Sequence, residues 1–308
     1  MTIAPESYDE FSMFQDNCTE AGIPWRGPPR VERRFFDVGA GQRVSALVWG
    51  EGPAEMVFMH GGGQNAHTWD TVILGLGRPA IAFDLPGHGH SDWRADRDYW
   101  PWRNADAIAA ALDALGARPR CTIGMSLGGL TNIRLAAIRP DLAPRAAVVD
   151  VTPNVMQHQI RMTLAERGTT ALVAGPKVYP SFEAMYEETL KLSPLRTPAG
   201  VRRGVLHNAR RLEDGRWRWR YDIGGAPDSA GADNDFTRLW PDVDRIACPM
   251  MLVVGGESKF VLPEHRAEFE RRRPGLRVEV VPGAGHAVQS DQPLRLVELL
   301  RDFAGLGV

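Results

Sequence analysis

The chain is written in two rhythms. Short runs in which most positions are apolar or β-branched alternate with longer stretches whose apolar residues return every three to four positions. The short runs are Arg33–Val38, Arg43–Trp49, Met56–Met59, Ala80–Phe83, Arg120–Ile123, Ala146–Val149, Met250–Val254 and Arg277–Val281, and each predicts a strand. Ala146-Ala147-Val148-Val149 and Met251-Leu252-Val253-Val254 are apolar on both faces, as strands are when helices cover both sides of a sheet. The longer stretches, Trp69–Leu76, Asn104–Leu115, Leu127–Ile138, Pro263–Arg272 and Pro293–Phe303, carry helical spacing. Strand and helix in repeated alternation predict an α/β fold whose sheet is mostly parallel and joined by right-handed crossovers. Gly39-Ala40-Gly41-Gln42 connects the first two runs as a hairpin does, so the sheet is expected to be mixed at that edge.

Two regions break the rhythm. Residues 1–30 are acidic at first and then rich in Pro and Gly (Pro24, Gly27, Pro28, Pro29), which predicts an N-terminal arm loosely attached to the rest. Between Thr152 and Trp240 the alternation stops. That stretch holds amphipathic segments at Gln157–Val173 and Ser181–Leu192, then a hairpin signal at Glu213-Asp214-Gly215. Arg216-Trp217-Arg218-Trp219-Arg220-Tyr221 follows it, and period two behind an Asp-Gly turn is a hairpin strand with one aromatic face rather than a stacking platform for nucleic acid. An insertion this long inside a compact domain is usually a functional lid. The expected organisation is therefore an arm at 1–30, a core at 31–152 and 241–308, and a cap at 153–240.

Composition narrows the class. With 44% hydrophobic and 24% charged residues in 308, the chain is globular rather than disordered or fibrous. Thirty-six basic against 38 acidic residues give a formal charge of -2, which leaves no basic field for nucleic acid or for docking on an anionic membrane. The longest apolar stretch, Ala105 to Ala117, is broken by Asp106 and Asp113 and is too short to span a bilayer, so no stable membrane insertion is expected. Cys18, Cys121 and Cys248 have neither metal-ligand nor disulfide-framework spacing, which fits a reducing compartment. Met1 to Phe14 carries no apolar leader core, and a cytoplasmic location is expected.

The candidate chemistry gathers at the predicted ends of strands. Gly124-Met125-Ser126-Leu127-Gly128 follows an apolar strand and opens a helical pattern. A serine in so tight a turn needs small neighbours two positions away, and the helix behind it favours developing negative charge. A nucleophilic serine needs a base. His286, in Gly283-Ala284-Gly285-His286 between the last strand and the last helix, can reach the same sheet edge. The base needs a carboxylate to hold its tautomer, and two candidates follow strands: Asp150, and Glu257 beyond Gly255-Gly256. His60-Gly61-Gly62-Gly63 follows another strand, where a glycine run lets amides turn towards an oxyanion; the N–H groups of Gly62 and Leu127 are the expected donors. The spacing matches no phosphate-cradling loop. In Asp84-Leu85-Pro86-Gly87-His88-Gly89-His90-Ser91, Asp84 and His88 are expected to brace neighbouring loops, and His88 with His90 alone makes no convincing metal site, so no metal is expected.

These segments together resemble the α/β-hydrolase superfamily in its capped, bacterial carboxylesterase-like branch. The resemblance runs from Val31 to the C-terminus and rests on HGGGQNAHTWD at 60–70, DLPGHGHS at 84–91, GMSLGGL at 124–130 and the His286 loop, in the family's order. It implies an eight-stranded mostly parallel sheet with helices on both faces, a cap after the sixth strand, and cofactor-free hydrolysis through an acyl-enzyme. One feature departs from the family. The acid is most often an Asp in a Gly-x-x-Asp setting after the seventh strand, where Gly256-Glu257-Ser258-Lys259 puts Lys259. Some members carry it after the sixth strand instead, where this chain has Asp150, so the resemblance favours Asp150 over Glu257. The serine sets aside family members that attack with Asp. The expectation is a serine hydrolase of small or medium carboxylic esters, with a thioesterase or C–C bond hydrolase as the nearest alternatives and a non-catalytic ligand receptor on the same fold as the alternative of another class. Met, Phe and Trp side chains of residues 152–240 are the expected pocket lining.

Overall fold

The computed structural model describes residues 8–174, 178–222 and 235–307; the first seven residues of the predicted arm, parts of the predicted cap and Val308 lie outside the described residues. The chain opens on helix α1 (Phe14–Ala21), followed by the hairpin strands β1 (Val31–Asp37) and β2 (Arg43–Trp49). Strand β3 (Met56–Met59), helix α2 (Asp70–Leu76), strand β4 (Ala80–Asp84), helix α3 (Pro101–Leu115), strand β5 (Cys121–Met125), helix α4 (Leu127–Ile138) and strand β6 (Ala146–Val149) then alternate. The insertion supplies α5 (Val155–Gln159), α6 (Leu164–Arg167), α7 (Phe182–Lys191), α8 (Pro198–Asn208) and the small hairpin β7 (Ala209–Arg211) and β8 (Trp217–Trp219). The core resumes with α9 (Trp240–Arg245), β9 (Met250–Gly255), α10 (Pro263–Arg272), β10 (Arg277–Val281), α11 (Val288–Asp291) and α12 (Pro293–Ala304).

Eight strands form one sheet in the order β1-β2-β4-β3-β5-β6-β9-β10. Only β2 runs against the others, pairing antiparallel with β1 and β4, so the sheet is mixed at the edge that the Gly-rich turn marked. Val38 N–H donates to the Gln42 carbonyl across that turn, and Gly39 and Gly41 take positive φ there. Alternate residues of β3 feed opposite faces: Met56 and Phe58 pack with Trp69, Ile73 and Leu300, while Val57 and Met59 pack with Phe83, Ile108 and Leu112. Both faces are buried, which is why these strands lack polar alternation. α4 is buried on nearly all sides, from Gly128 to Ile133 without a break, whereas α12 buries one stripe. α12 starts on Pro293, buries Leu296, Leu299 and Leu300, and stops at Gly305 in the left-handed conformation.

Residues 8–30 are attached more firmly than their composition implies. Phe14 and Cys18, one helical turn apart, are buried, and the Phe14 ring lies 4.8 Å from that of Trp49. Glu10 forms an ion pair with Arg33 at 2.6 Å. The acidic and Pro/Gly flanks conceal this one-turn apolar repeat, which is too short to stand out as a helix.

The predicted Asp-Gly hairpin is present, with Ala209 opposite Trp219 and Arg211 opposite Trp217. The amphipathic stretch 157–173 is broken into α5, α6 and a 3₁₀ segment Gly168–Ala174, with Gly168 at positive φ between the pieces. The insertion has its own apolar centre, in which Phe182, Met185, Val205 and Trp217 surround one another and Met13 of the N-terminal segment joins them. All three cysteines are free thiols. Among the described residues no helix is long and apolar enough to cross a membrane.

Candidate active site

The carboxyl ends of β3, β5, β6 and β9 meet in a small volume where the backbone leaves little choice of residue. Ser126, between β5 and α4, has φ 51° and ψ -117°, a conformation an L residue holds only under constraint. The constraint is close packing. A Cβ on Gly124 would stand 2.1 Å from the Gly128 carbonyl oxygen, and one on Gly128 would stand 2.2 Å from that of Met59. Both glycines of the elbow are therefore obligatory. Ser126 N–H is held by the Val149 carbonyl at 3.0 Å and Gly128 N–H by that of His60 at 3.0 Å, which ties the elbow to β6 and to the glycine loop.

Asp150 follows β6 with φ 52° and is fully buried. Its Oδ1 accepts the Gly255 N–H at 2.9 Å. Its Oδ2 accepts a hydrogen bond from the Ser258 hydroxyl and lies 2.7 Å from His286 Nδ1. These contacts fix the carboxyl group in place, and it orients the imidazole through Nδ1. The His286 ring lies nearly parallel to Phe260 with centroids 3.6 Å apart, and its Nε2 is buried with no hydrogen-bond partner. The histidine loop sits hard against β9: a Cβ on Gly255 would meet the Gly285 oxygen at 2.1 Å. Asp291 fixes the loop from the other side by accepting the Gly285 N–H at 2.9 Å.

Of the two candidate carboxylates, the structure brings Asp150 to His286. Glu257 is exposed, and its side chain makes no hydrogen bond or ion pair to the histidine. Of the expected oxyanion donors, Gly62 lines the cavity with Ser126, and Leu127 is the first residue of α4, where an amide has no intrahelical acceptor. Gly61 packs closely as well: a Cβ there would stand 2.5 Å from Met125 Sδ and would require that side chain to shift.

The Asp84–Ser91 segment braces, as its sequence implied. Asp84 Oδ1 accepts the Ala66 N–H at 2.8 Å, and Oδ2 accepts from His90 N–H at 3.0 Å and from Arg33 at 2.6 Å. Burial opposes ionisation of Asp84, but Arg33 and the two amides outweigh it and hold the carboxyl below its ordinary range. His60 Nε2 accepts the Leu85 N–H at 2.9 Å, and Nδ1 lies 2.7 Å from the Gly61 carbonyl oxygen. Burial, with His88 beside it, pushes the His60 pKa down to about 3, so the ring stays neutral and couples the glycine loop to the Asp84 turn.

Ser126 and His286 open onto a cavity of about 860 Å³. The insertion faces them with Leu172, Val173, Leu192, Leu195, Trp219 and Tyr221. The expected Met and Phe lining is not found: Phe182 and Met185 lie in the insertion's own centre, and Met162 and Phe236 pack against the core. These Met and Phe side chains pack in the apolar centres, and aliphatic residues with Trp219, of the expected Trp lining, and Tyr221 meet the cavity. Sequence reasoning also passed over Ser258 and Phe260. The segment Gly256-Glu257-Ser258-Lys259 draws attention as a place for an acid, whereas its serine is a donor to the acid of another strand.

Comparison with known proteins agrees with this architecture. Residues 56–299 match the model of the alpha/beta hydrolase family. The chain is 48% identical over 295 residues to esterase Rv0045c of Mycobacterium tuberculosis, covering 95% of each protein. A solved structure of that M. tuberculosis esterase, reported with its transition metal inhibition, superposes with a TM-score of 0.81 at 48% identity, covering 96% of this chain and 98% of the other. E-2-(acetamidomethylene)succinate hydrolase superposes with a TM-score of 0.75 at 25% identity, covering 90% and 100%. On the strength of the matched family model and of a relative this similar along nearly its whole length, the chain belongs to the alpha/beta hydrolase family, in its esterase-like branch.

Proposed function

We propose that the protein is a carboxylic ester hydrolase that acts on esters of small or medium size through a Ser126–His286–Asp150 triad and an acyl-enzyme. One observation carries the reading. His286 is held through Nδ1 by a buried carboxylate at 2.7 Å, and its unpartnered Nε2 and the strained Ser126 share one cavity. The kinship with an esterase at 48% identity supports ester cleavage as the reaction.

The steps follow from these groups. Ser126 Oγ attacks the ester carbonyl carbon while His286 Nε2 takes the hydroxyl proton. Asp150, bonded to Nδ1, stabilises the imidazolium that forms. The N–H groups of Gly62 and Leu127 receive the oxyanion, each worth on the order of 3 kcal/mol of barrier. Collapse of the tetrahedral intermediate breaks the bond to the alcohol oxygen, which leaves with the proton from His286. Water then repeats the sequence on the acyl-serine and frees the acid. The insertion serves as a cap over residues 153–240, closing the acyl pocket from water.

Initial rates on p-nitrophenyl esters from acetyl to decanoyl test the reading. Turnover by the wild type should fall by about 10⁵–10⁶ in Ser126→Ala. Absence of wild-type turnover across the series would overturn it. Turnover of a vinylogous diketone instead would make the protein a C–C bond hydrolase, and covalent labelling of Ser126 without turnover would make it a receptor.

A further inference from the structure

Three arginines of the insertion, Arg167, Arg196 and Arg203, line the cavity that Ser126 and His286 share. Arg203 forms an ion pair with Glu20 and donates to Asn17 at 2.7 Å, and Arg167 donates through two nitrogens to the Gln159 carbonyl. Arg196, in the turn before α8, is held more loosely. Its side chain makes a single hydrogen bond, from Nη2 to the Gly200 carbonyl at 3.2 Å, and among the described residues it has no ion pair. We propose that Arg196 receives a carboxylate of the substrate, so that the preferred esters are those whose acyl or alcohol part carries a free carboxylate. The inference rests on the ester hydrolase reading above and adds the substrate class to it.

Arg196 is anchored beside the loop that carries the base. Leu195, the residue before it, packs on that loop: its Cδ1 would lie 3.3 Å from a Cβ on Gly285, the neighbour of His286. The guanidinium rests over α8, with Nη2 3.5 Å from where a Cβ on Gly204 would stand. A guanidinium has five N–H donors, and one is used here.

The wall supplies no good counter-ion. Burial disfavours the Arg196 cation, and Asp291 is the acid whose charge supports it. But Asp291 Oδ2 already accepts the Gly285 N–H at 2.9 Å, and burial pushes that carboxyl above its ordinary range. The other acids of the wall are committed or turned to water. Glu20 pairs with Arg203, Glu166 accepts from Thr163 at the start of α6, and Glu257 is exposed. A half-buried charge left in this state costs free energy until a ligand completes it. A strut for the turn needs only one donor, which an uncharged side chain supplies equally well, so the charge calls for an anion. The planar fork matches a carboxylate with two parallel hydrogen bonds. Leu172, Val173, Leu192 and Leu195 on the same wall suit the short aliphatic chain that joins such a group to the ester.

The test compares esters that differ only in that charge. Monoethyl esters of the dicarboxylic acids from succinic to suberic place a carboxylate on the acyl part, and butyrate esters of ω-hydroxy acids place it on the alcohol part. Each is run against the same molecule with a primary amide in place of the carboxylate, and cleavage is followed by chromatography. The wild type should prefer the best carboxylate over its amide by about 10- to 100-fold in kcat/KM, as a charged hydrogen-bonded pair does. Arg196→Gln should bring that ratio to within about threefold of one, mainly through KM. Arg196→Lys keeps the charge and loses the fork, and should retain no more than about a third of the ratio. Arg266→Gln, on α10 and outside the cavity, should keep the wild-type ratio. A wild-type ratio near one, or a ratio that Arg196→Gln does not lower, overturns the inference while ester hydrolysis stands. Failure to cleave any ester overturns the ester reading and the inference with it. Should Arg196→Gln fail to fold by circular dichroism, Arg196→Lys decides, and an unchanged ratio in that variant overturns the assignment.

Discussion

The two walls of the cavity are built on different principles. On the sheet side, main-chain geometry sets the closest-packed positions: Ser126 and Asp150 hold positive φ, and Gly124, Gly128 and Gly255 lie where a Cβ would come within 2.1 to 2.2 Å of a carbonyl oxygen. On the opposite side, the insertion and the N-terminal segment are held by side-chain bonds. Arg203 reaches Asn17 at 2.7 Å, and the Tyr221 hydroxyl reaches the Leu172 carbonyl at 3.1 Å. Main-chain constraint fixes a site to a fraction of an ångström and tolerates no substitution. Side-chain bonding lets a wall change shape while the chemistry beneath it stays in place. The contrast predicts that substitutions on the sheet side abolish turnover or folding, and that those on the other side redistribute it among substrates.

The largest effect is expected at the carboxylate. Asp150→Asn should lower kcat by about 10⁴-fold with little change in fold, because an amide presents the wrong hydrogen-bonding pattern to His286 Nδ1. Glu257→Gln, on an exposed side chain, should stay within about threefold of wild type. Steady-state rates on a single p-nitrophenyl ester give both numbers, and the reverse order would move the acid to the end of β9.

Next in size is a loss of stability. Asp84→Asn removes one partner of a buried ion pair with Arg33 and should cost about 3 kcal/mol in urea unfolding at neutral pH. The folded-state pKa of Asp84 is depressed, so its contribution is complete above the unfolded value of about 3.9 and is lost as the pH falls below it. The variant should therefore lack part of the wild type's acid sensitivity below pH 4. Equal slopes in the two proteins would show that the Asp84 turn does not hold the sheet-side wall.

A smaller effect is carried by His60. Its folded pKa, pushed by burial to about 3, lies below the unfolded value of about 6.5. Below pH 6.5 the unfolded chain takes up a proton that the folded chain refuses, so stability is complete above that pH and falls as the pH drops. At pH 5 the loss should be roughly 2 kcal/mol relative to pH 7.5. His60→Gln should be less stable at pH 7.5 yet flatter between the two. An unchanged slope would mean that the ring takes its proton in the folded state.

How much of this was legible in the chain follows the same division. The eight strands are found within a few residues of their predicted spans, because a sheet buried on both faces writes itself as unbroken apolar runs. Ser126 and His286 stand beyond strand ends close to glycines, and Asp150 directly follows an apolar strand; these are local signals, and the fold brings Asp150 to His286 and His286 to the cavity that Ser126 lines. What was not legible depends on distance along the chain. Helix α1 is one short apolar repeat that makes sense only once Trp49 and α2 cover it. Ser258 and Phe260 serve Asp150 and His286 through contacts that no local pattern announces.

The smallest effect is the sharpest test of the comparison, because it asks for a change in preference with no loss of chemistry. Val173 stands over the glycine loop, and its Cγ2 would lie 2.8 Å from a Cβ on Gly63. It lines the cavity from the insertion side. Val173→Ala removes two methyl groups from that wall and leaves Ser126 untouched. A pocket enlarged by one or two carbons discriminates among acyl chains by about 1–2 kcal/mol, or roughly tenfold in relative kcat/KM. The acetyl ester should therefore be cleaved within a few-fold of the wild-type rate, and the preferred chain should lengthen by one or two methylenes. The same series of p-nitrophenyl esters measures this. A uniform fall at every chain length would mean that the insertion shapes the reacting geometry itself, and the two walls would then be one device.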